Sequence, residues 1–270
     1  MDIGTYLRQA TDKLQKAGIL TARLDVLILL EDLLGKDRSL VLAHTDDILT
    51  CSQQTALDSS IERRAAHEPL AYIRGHAAFY GREFIVTYDV LVPRPETESM
   101  IEIIKTLEIP SGWTLADIGT GTGAIGITAA LETTLARVDL YDISPQALAV
   151  AQRNIASLNP STPMDLFTAD LLANLHQGYD IFAANLPYVP TDFPVNQAAR
   201  HEPDLALFSG KDGLRDYRTF WSQVTNLKYK PAYIITESLP TQHVELVGIA
   251  KAAGYALSKT DDFIQLFSKT

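Results

Sequence analysis

From Trp113 onward short apolar runs alternate with helical patterns, and that alternation constrains the fold more than any other feature of the chain. WTLADI, RVDLYD, MDLFT, YDIFAA and AYIITE read as strands, and GAIGITAALE and SPQALAVAQRNIASLN as helices between them. Ser144 and Pro145 suit the N-cap and first position of the second helix, which carries Leu148, Ala151, Ile155 and Leu158 on one face. Further helices are predicted after Gly213 and near 241–253. The end, YALSKTDDFIQLFSK, reads as an antiparallel hairpin. The expected fold is α/β: a doubly wound, mostly parallel sheet with a C-terminal antiparallel pair, whose ligands bind beyond the carboxyl ends of the strands.

The part before this region differs. Residues 1–68 read as a small helical domain. In TARLDVLILLEDLLG, Leu24, Leu27, Ile28, Leu30 and Leu34 are expected on one buried face, with Gly35 as the stop; CSQQTALDSSIERRAAH gives a more polar helix. Residues 69–94 are aromatic and β-branched with Gly75 and Gly81, and AYIRGHAAFYGREFIVTYDVLVP is predicted as a β-hairpin linker. Residues 95–270 form the catalytic domain, opened by the helix PRPETESMIEIIKTL with Pro95 at its first position and Glu96 and Glu98 at its positive end.

Composition narrows the function. No apolar run is long enough for a transmembrane helix, and MDIGTYLRQATDK lacks the layout of a secretory signal. One cysteine, Cys51, excludes an internal disulfide framework, so a cytoplasmic setting is expected. A net charge of −10 argues against stable nucleic-acid binding. The six histidines include no pair three or four apart, so no metal site is expected.

DIGTGTGAIG, Asp117 to Gly126, lies between a strand and a helix. Gly119, Gly121 and Gly123, with Thr120 and Thr122 between them, allow the tight turn and close backbone approach that a nucleotide-like ligand requires. Asp142 ends the next strand, where a carboxylate accepts hydrogen bonds from both ribose hydroxyls. Asp170 and Leu171 end the third, placed to cap the adenine amino group and cover its ring. These features define an adenosine-containing cofactor and leave a nicotinamide dinucleotide and S-adenosylmethionine both open.

AANLPYVP separates them. Asn185, Leu186, Pro187 and Tyr188 follow the fourth strand, at the same sheet edge. The Asn185 side-chain oxygen and the Leu186 carbonyl form two acceptors, matching the two hydrogens of a planar NH2 group. Pro187 fixes the turn and Tyr188 stacks on the group. Hydride transfer has no need of such an element, whereas methyl transfer to an amide or aromatic amine does.

On these stretches, with ARLDVLILLEDLLG, EPLAYIRGHAAFYGREF, VLVPRPETE and HEPDLALFSGKDGLRDYR, the chain resembles the release-factor glutamine N5-methyltransferases of the class I S-adenosylmethionine fold. The resemblance implies that Gly119 to Gly123, Asp142, Leu171 and Asn185 hold S-adenosyl-L-methionine. It also implies that Asn185 to Tyr188 hold the glutamine amide of the Gly-Gly-Gln motif in a peptide chain release factor, which the helical domain helps to dock. The chain departs from the family pattern at Leu186, where a proline is usual, and at Leu239 in ESLPTQ, where a glycine is usual. The runner-up is an N6-adenine methyltransferase acting on RNA or DNA. A nicotinamide-dependent oxidoreductase and a binding protein without turnover are more distant alternatives.

Overall fold

The computed structural model describes all of residues 1–270, which divide into two compact units: Met1–Gly75 with Asn196–His201, and His76–Val195 with Glu202–Thr270. The smaller unit holds α1 (Ile3–Lys16), α2 (Ala22–Leu34), α3 (Arg38–Ala43), α4 (Cys51–Ala65) and α5 (Leu70–Arg74). Helix α1 starts where the Asp2 carboxylate accepts the Thr5 N–H, and α4 starts at a reciprocal capping box between Thr50 and Gln53. Gly35, left-handed at φ 60°, ends α2 as expected. The predicted face of α2 is corrected. Leu24 is exposed and Ile28 and Leu34 are only half-buried, while Ala22, Val26, Leu27, Leu29 and Leu30 are buried. The reason is that α1, α3, α4 and α5 all pack on α2, so more than one stripe is covered. Asp25 is buried on the same helix because the Arg64 guanidinium donates to it at 2.7 Å.

The larger unit opens with a hairpin shorter than its sequence suggests. Residues 70–74 are helical, and only β1 (His76–Phe79) and β2 (Arg82–Ile85) pair. Tyr80 and Gly81 turn between them with φ of 50° and 71°, the left-handed pair that a two-residue hairpin loop demands. Pro95–Thr97 form a 3₁₀ turn that leads into α6 (Glu98–Thr106).

The alternation then runs as predicted: β3 (Thr114–Ile118), α7 (Ala124–Glu132), β4 (Arg137–Asp142), α8 (Pro145–Leu158), β5 (Met164–Thr168) and β6 (Ile181–Ala184). After them come α9 (Asp204–Leu207), α10 (Arg215–Asn226), β7 (Tyr233–Glu237), α11 (His243–Ala252), β8 (Tyr255–Asp261) and β9 (Ile264–Lys269). The seven-stranded sheet has the order β5-β4-β3-β6-β7-β9-β8, parallel except for β9, which runs antiparallel to both its neighbours. Successive residues of each central strand enter different cores. Leu115, Ile181 and Ala183 pack with Met100, Ile101 and Ile104 of α6, whereas Ala116, Ile118 and Phe182 pack with Tyr217, Phe220 and Trp221 of α10. A sheet covered on both faces needs continuous apolar strands, which is why these runs do not alternate with polar residues. No helix is long and apolar enough to cross a membrane.

Candidate active site

A cavity lies along the carboxyl ends of β3, β4, β5 and β6, lined by the loops after these strands together with Pro93, Thr97 and Pro203 of the larger unit. The β3 loop is shaped by three left-handed glycines, Gly119, Gly121 and Gly123, at φ of 72°, 54° and 82°. The N–H groups of Gly119 and Thr120 donate to the Tyr141 carbonyl at 2.8 and 2.9 Å, pinning the loop to the end of β4. Asp117 anchors it from below, accepting from the Thr120 hydroxyl at 2.6 Å and the Gly126 N–H at 2.9 Å. Burial pushes the Asp117 carboxyl up to about 6, against those two donors, and the Asp142 charge adds to the rise.

Asp142 faces the cavity from β4. Its Oδ2 accepts the Gly121 N–H and its Oδ1 the Ser144 N–H, each at 2.9 Å, while burial raises its pKa. Each oxygen keeps a second acceptor site, so one carboxylate shapes the glycine loop and can still bind two ribose hydroxyls. Nothing stands within 4 Å of where a Cβ on Gly121 would be, so the backbone there is open to a ligand. Asp170 and Leu171 line the same cavity, Leu171 with left-handed backbone at φ 54°. These features fit an adenosine-containing cofactor.

Asn185, Leu186 and Pro187 line the cavity as well; Gly123 and Tyr188 do not. Gly123 is instead the N-cap of α7. The Tyr188 ring is half-buried, and its hydroxyl donates to Glu237 Oε1 at 3.0 Å. Leu186 packs into the space beside Gly119, where a Cβ would meet its Cδ2 at 3.2 Å. The Asn185 Nδ2 donates to Thr97 Oγ1 at 3.3 Å, which leaves Oδ1 as the end of the amide not committed to that bond.

Sequence reasoning missed the residues that hold this loop in place. Tyr217 shares its hydroxyl proton between the carbonyls of Glu237 (2.6 Å) and Ala184 (2.9 Å), and its oxygen accepts the N–H groups of Leu186 and Glu237. Gln242 Nε2 donates to the carbonyls of Tyr188 (2.9 Å) and Asp212 (2.8 Å). Val189 bridges to Phe208, and Thr191 N–H donates to the Gly210 carbonyl. Glu202, buried, accepts from Arg94 at 2.7 Å and from the Val92 N–H at 3.2 Å. Thus HEPDLALFSGKDGLRDYR and ESLPTQ, notable in the sequence only as stretches, brace the Asn-Leu-Pro-Tyr turn and its entrance.

Two solved structures share the fold. The hMettl16 catalytic domain, in complex with a MAT2A 3′UTR hairpin, matches with a TM-score of 0.57 at 12% identity, covering 82% of each chain. A methyltransferase from Pyrococcus furiosus matches with a TM-score of 0.50 at 15% identity, covering 81% of this chain and 97% of that one. Sheet order, glycine loop, strand-end carboxylate and Asn-Leu-Pro-Tyr turn together define a class I S-adenosylmethionine-dependent methyltransferase. Family models sharpen this: the PrmC N-terminal domain matches residues 5–75 and the methyltransferase small domain residues 97–200. A release factor glutamine methyltransferase from Moorella thermoacetica is 35% identical over 258 residues, covering 94% of this chain and 91% of the relative. One from Koribacter versatilis is 38% identical over 218 residues, 77% of each. The chain belongs to the release factor glutamine methyltransferase family.

Proposed function

We propose that this enzyme methylates the side-chain nitrogen of the glutamine in the Gly-Gly-Gln motif of a peptide chain release factor. The observation that carries this reading is the position of Asn185: it lines the same cavity as the glycine loop and Asp142, with its NH2 engaged by Thr97. Gly119, Thr120, Gly121 and Thr122, with Asp142, Asp170 and Leu171, would hold S-adenosylmethionine, and Gly123 would set the helix start behind them. When bound, the cofactor supplies an electrophilic methyl group on its sulfonium.

An amide nitrogen is a poor nucleophile because its lone pair is delocalised into the carbonyl. Asn185 Oδ1 and the Leu186 carbonyl accept its two hydrogens and favour the pyramidal nitrogen of the transition state over the planar ground state. The leucine at 186 costs nothing here, since only its carbonyl is used. Pro187 holds the turn. Tyr188, its hydroxyl tied to Glu237 and its ring outside the cavity lining, would pack on the amide plane of the seated glutamine. The methylated nitrogen is acidic enough to release its proton to water.

The helical unit, which exposes Leu20 and Leu24, would help to dock the release factor. An acidic chain suits a protein substrate better than a polyphosphate, and the exposed free Cys51 fits the reducing cytoplasm. Mass spectrometry of a release factor incubated with the enzyme and S-adenosylmethionine tests the reaction. One added methyl on the Gly-Gly-Gln glutamine, absent when that residue is glutamate, is expected. No methyl with cofactor binding intact, or methylation of added RNA instead, would overturn it. Asn185→Ala should lower kcat far more than cofactor affinity; equal losses would sink its assigned role.

A further inference from the structure

We propose that Thr97 and Glu237 are positioning residues that decide which way the Asn185 amide faces. The inference rests on the role of Asn185 given above and explains a stretch, PRPETE, for which the reaction itself offers no use. Thr97 is buried in the 3₁₀ turn before α6 and lines the cavity. Its oxygen accepts from Asn185 Nδ2. Its single hydroxyl proton is then left for another acceptor.

Glu237, at the end of β7, offers that acceptor. Its side chain is almost fully buried, its Oε1 takes the Tyr188 hydroxyl, and its Oε2 has no partner at direct hydrogen-bond geometry. Burial, with the Glu96 charge adding to it, raises the Glu237 pKa, and besides Tyr188 the donors that work against that rise are the Thr97 hydroxyl and the Asn185 amide. A carboxylate only accepts. The Thr97 proton therefore points to Glu237, the Thr97 oxygen is an acceptor toward Asn185, and Asn185 must answer with its NH2. An asparagine amide is nearly symmetrical in shape but not in hydrogen bonding. Held this way it turns Oδ1 to the substrate, whereas the flipped amide would present donors to a donor. The Glu237 carboxylate, as an acceptor, thus fixes the polarity of the whole relay.

The test uses the full chain with a release factor as substrate, read by steady-state methylation and by titration with S-adenosylhomocysteine. Thr97→Val keeps the shape and removes the hydroxyl; Thr97→Ser keeps the hydroxyl. Thr97→Val should lower kcat by about 10–100-fold with cofactor binding changed less than about 3-fold, and Thr97→Ser should recover to within about 3-fold of the native rate. Glu237→Gln, which can present a donor to Thr97, should lose kcat similarly, and the double variant should be no worse than either single one. Native kcat in Thr97→Val beside an inactive Asn185→Ala overturns this inference and leaves the role of Asn185 standing. Full activity in Asn185→Ala removes that role and the inference with it. Equal losses in Thr97→Val and Thr97→Ser, parallel loss of cofactor affinity, or additive losses in the double variant would make these residues packing or cofactor contacts and overturn the relay.

Discussion

Replacing Gly213 with alanine probes the brace behind the Asn-Leu-Pro-Tyr turn. Gly213 sits at φ +76°, and a Cβ there would stand 2.1 Å from the Tyr188 carbonyl oxygen and 2.4 Å from Gln242 Nε2. The left-handed backbone alone costs an alanine about 1–2 kcal/mol. The Gln242 amide must also leave its two acceptors, Tyr188 and Asp212, at about 1 kcal/mol each, and the turn must shift to make room. A total on the order of 4 kcal/mol is expected, or a fall of about 10 °C in Tm for a unit of this size. The displaced atom is the carbonyl of Tyr188, three residues from Asn185, and a misplacement of about 1 Å can cost on the order of 100-fold in rate. Thermal unfolding, S-adenosylhomocysteine titration and initial rates of release-factor methylation, taken well below Tm, separate the effects. Cofactor affinity should hold while kcat collapses. A native Tm would refute the steric reasoning, and a lowered Tm with native kcat would refute the link between Gly213 and the catalytic turn.

Gly248→Ala should act in the opposite direction: the glycine is inside α11 with nothing within 4 Å of a Cβ, so a gain of about 0.5–1 kcal/mol is expected in urea unfolding, and any loss would contradict it. Asp117 predicts a pH dependence. Its folded pKa, about 6, lies above the ordinary aspartate value of 3.8, so the folded state binds the extra proton between those values, and stability falls as pH rises through that window. Asp117→Asn lacks this titration. Its unfolding free energy relative to the native chain should therefore rise by ~2 kcal/mol between pH 4 and pH 7, and a difference that stays flat with pH would show that Asp117 does not titrate there.

The sheet and the glycine loop were legible in the sequence because local chemistry dictates them. Apolar runs bounded by turn residues specify buried parallel strands, and only glycine takes three left-handed positions within five residues cheaply. Asp142 and Asn185 were legible for the same reason, since a strand end in this topology delivers its next residue to the ligand edge. The face of α2 was not. Periodicity reports one stripe, and Leu24, Ile28 and Leu34 gave way to Val26 and Leu29 only because four other helices pack around α2. Nor was the support of the active site. Thr97 and Asn185 meet across 88 residues, and Tyr217 reaches Ala184 across 33, through contacts that no local pattern encodes. Tyr188 illustrates the division. Its place beside Asn185 is a matter of chain order, but its hydroxyl is buried against Glu237, and only the pairing of β6 with β7 brings that carboxylate to it. Sequence alone determined which groups stand at the sheet edge. Tertiary structure decided which way they face, because a side chain's orientation is set by the hydrogen bonds left to it when distant strands and turns converge.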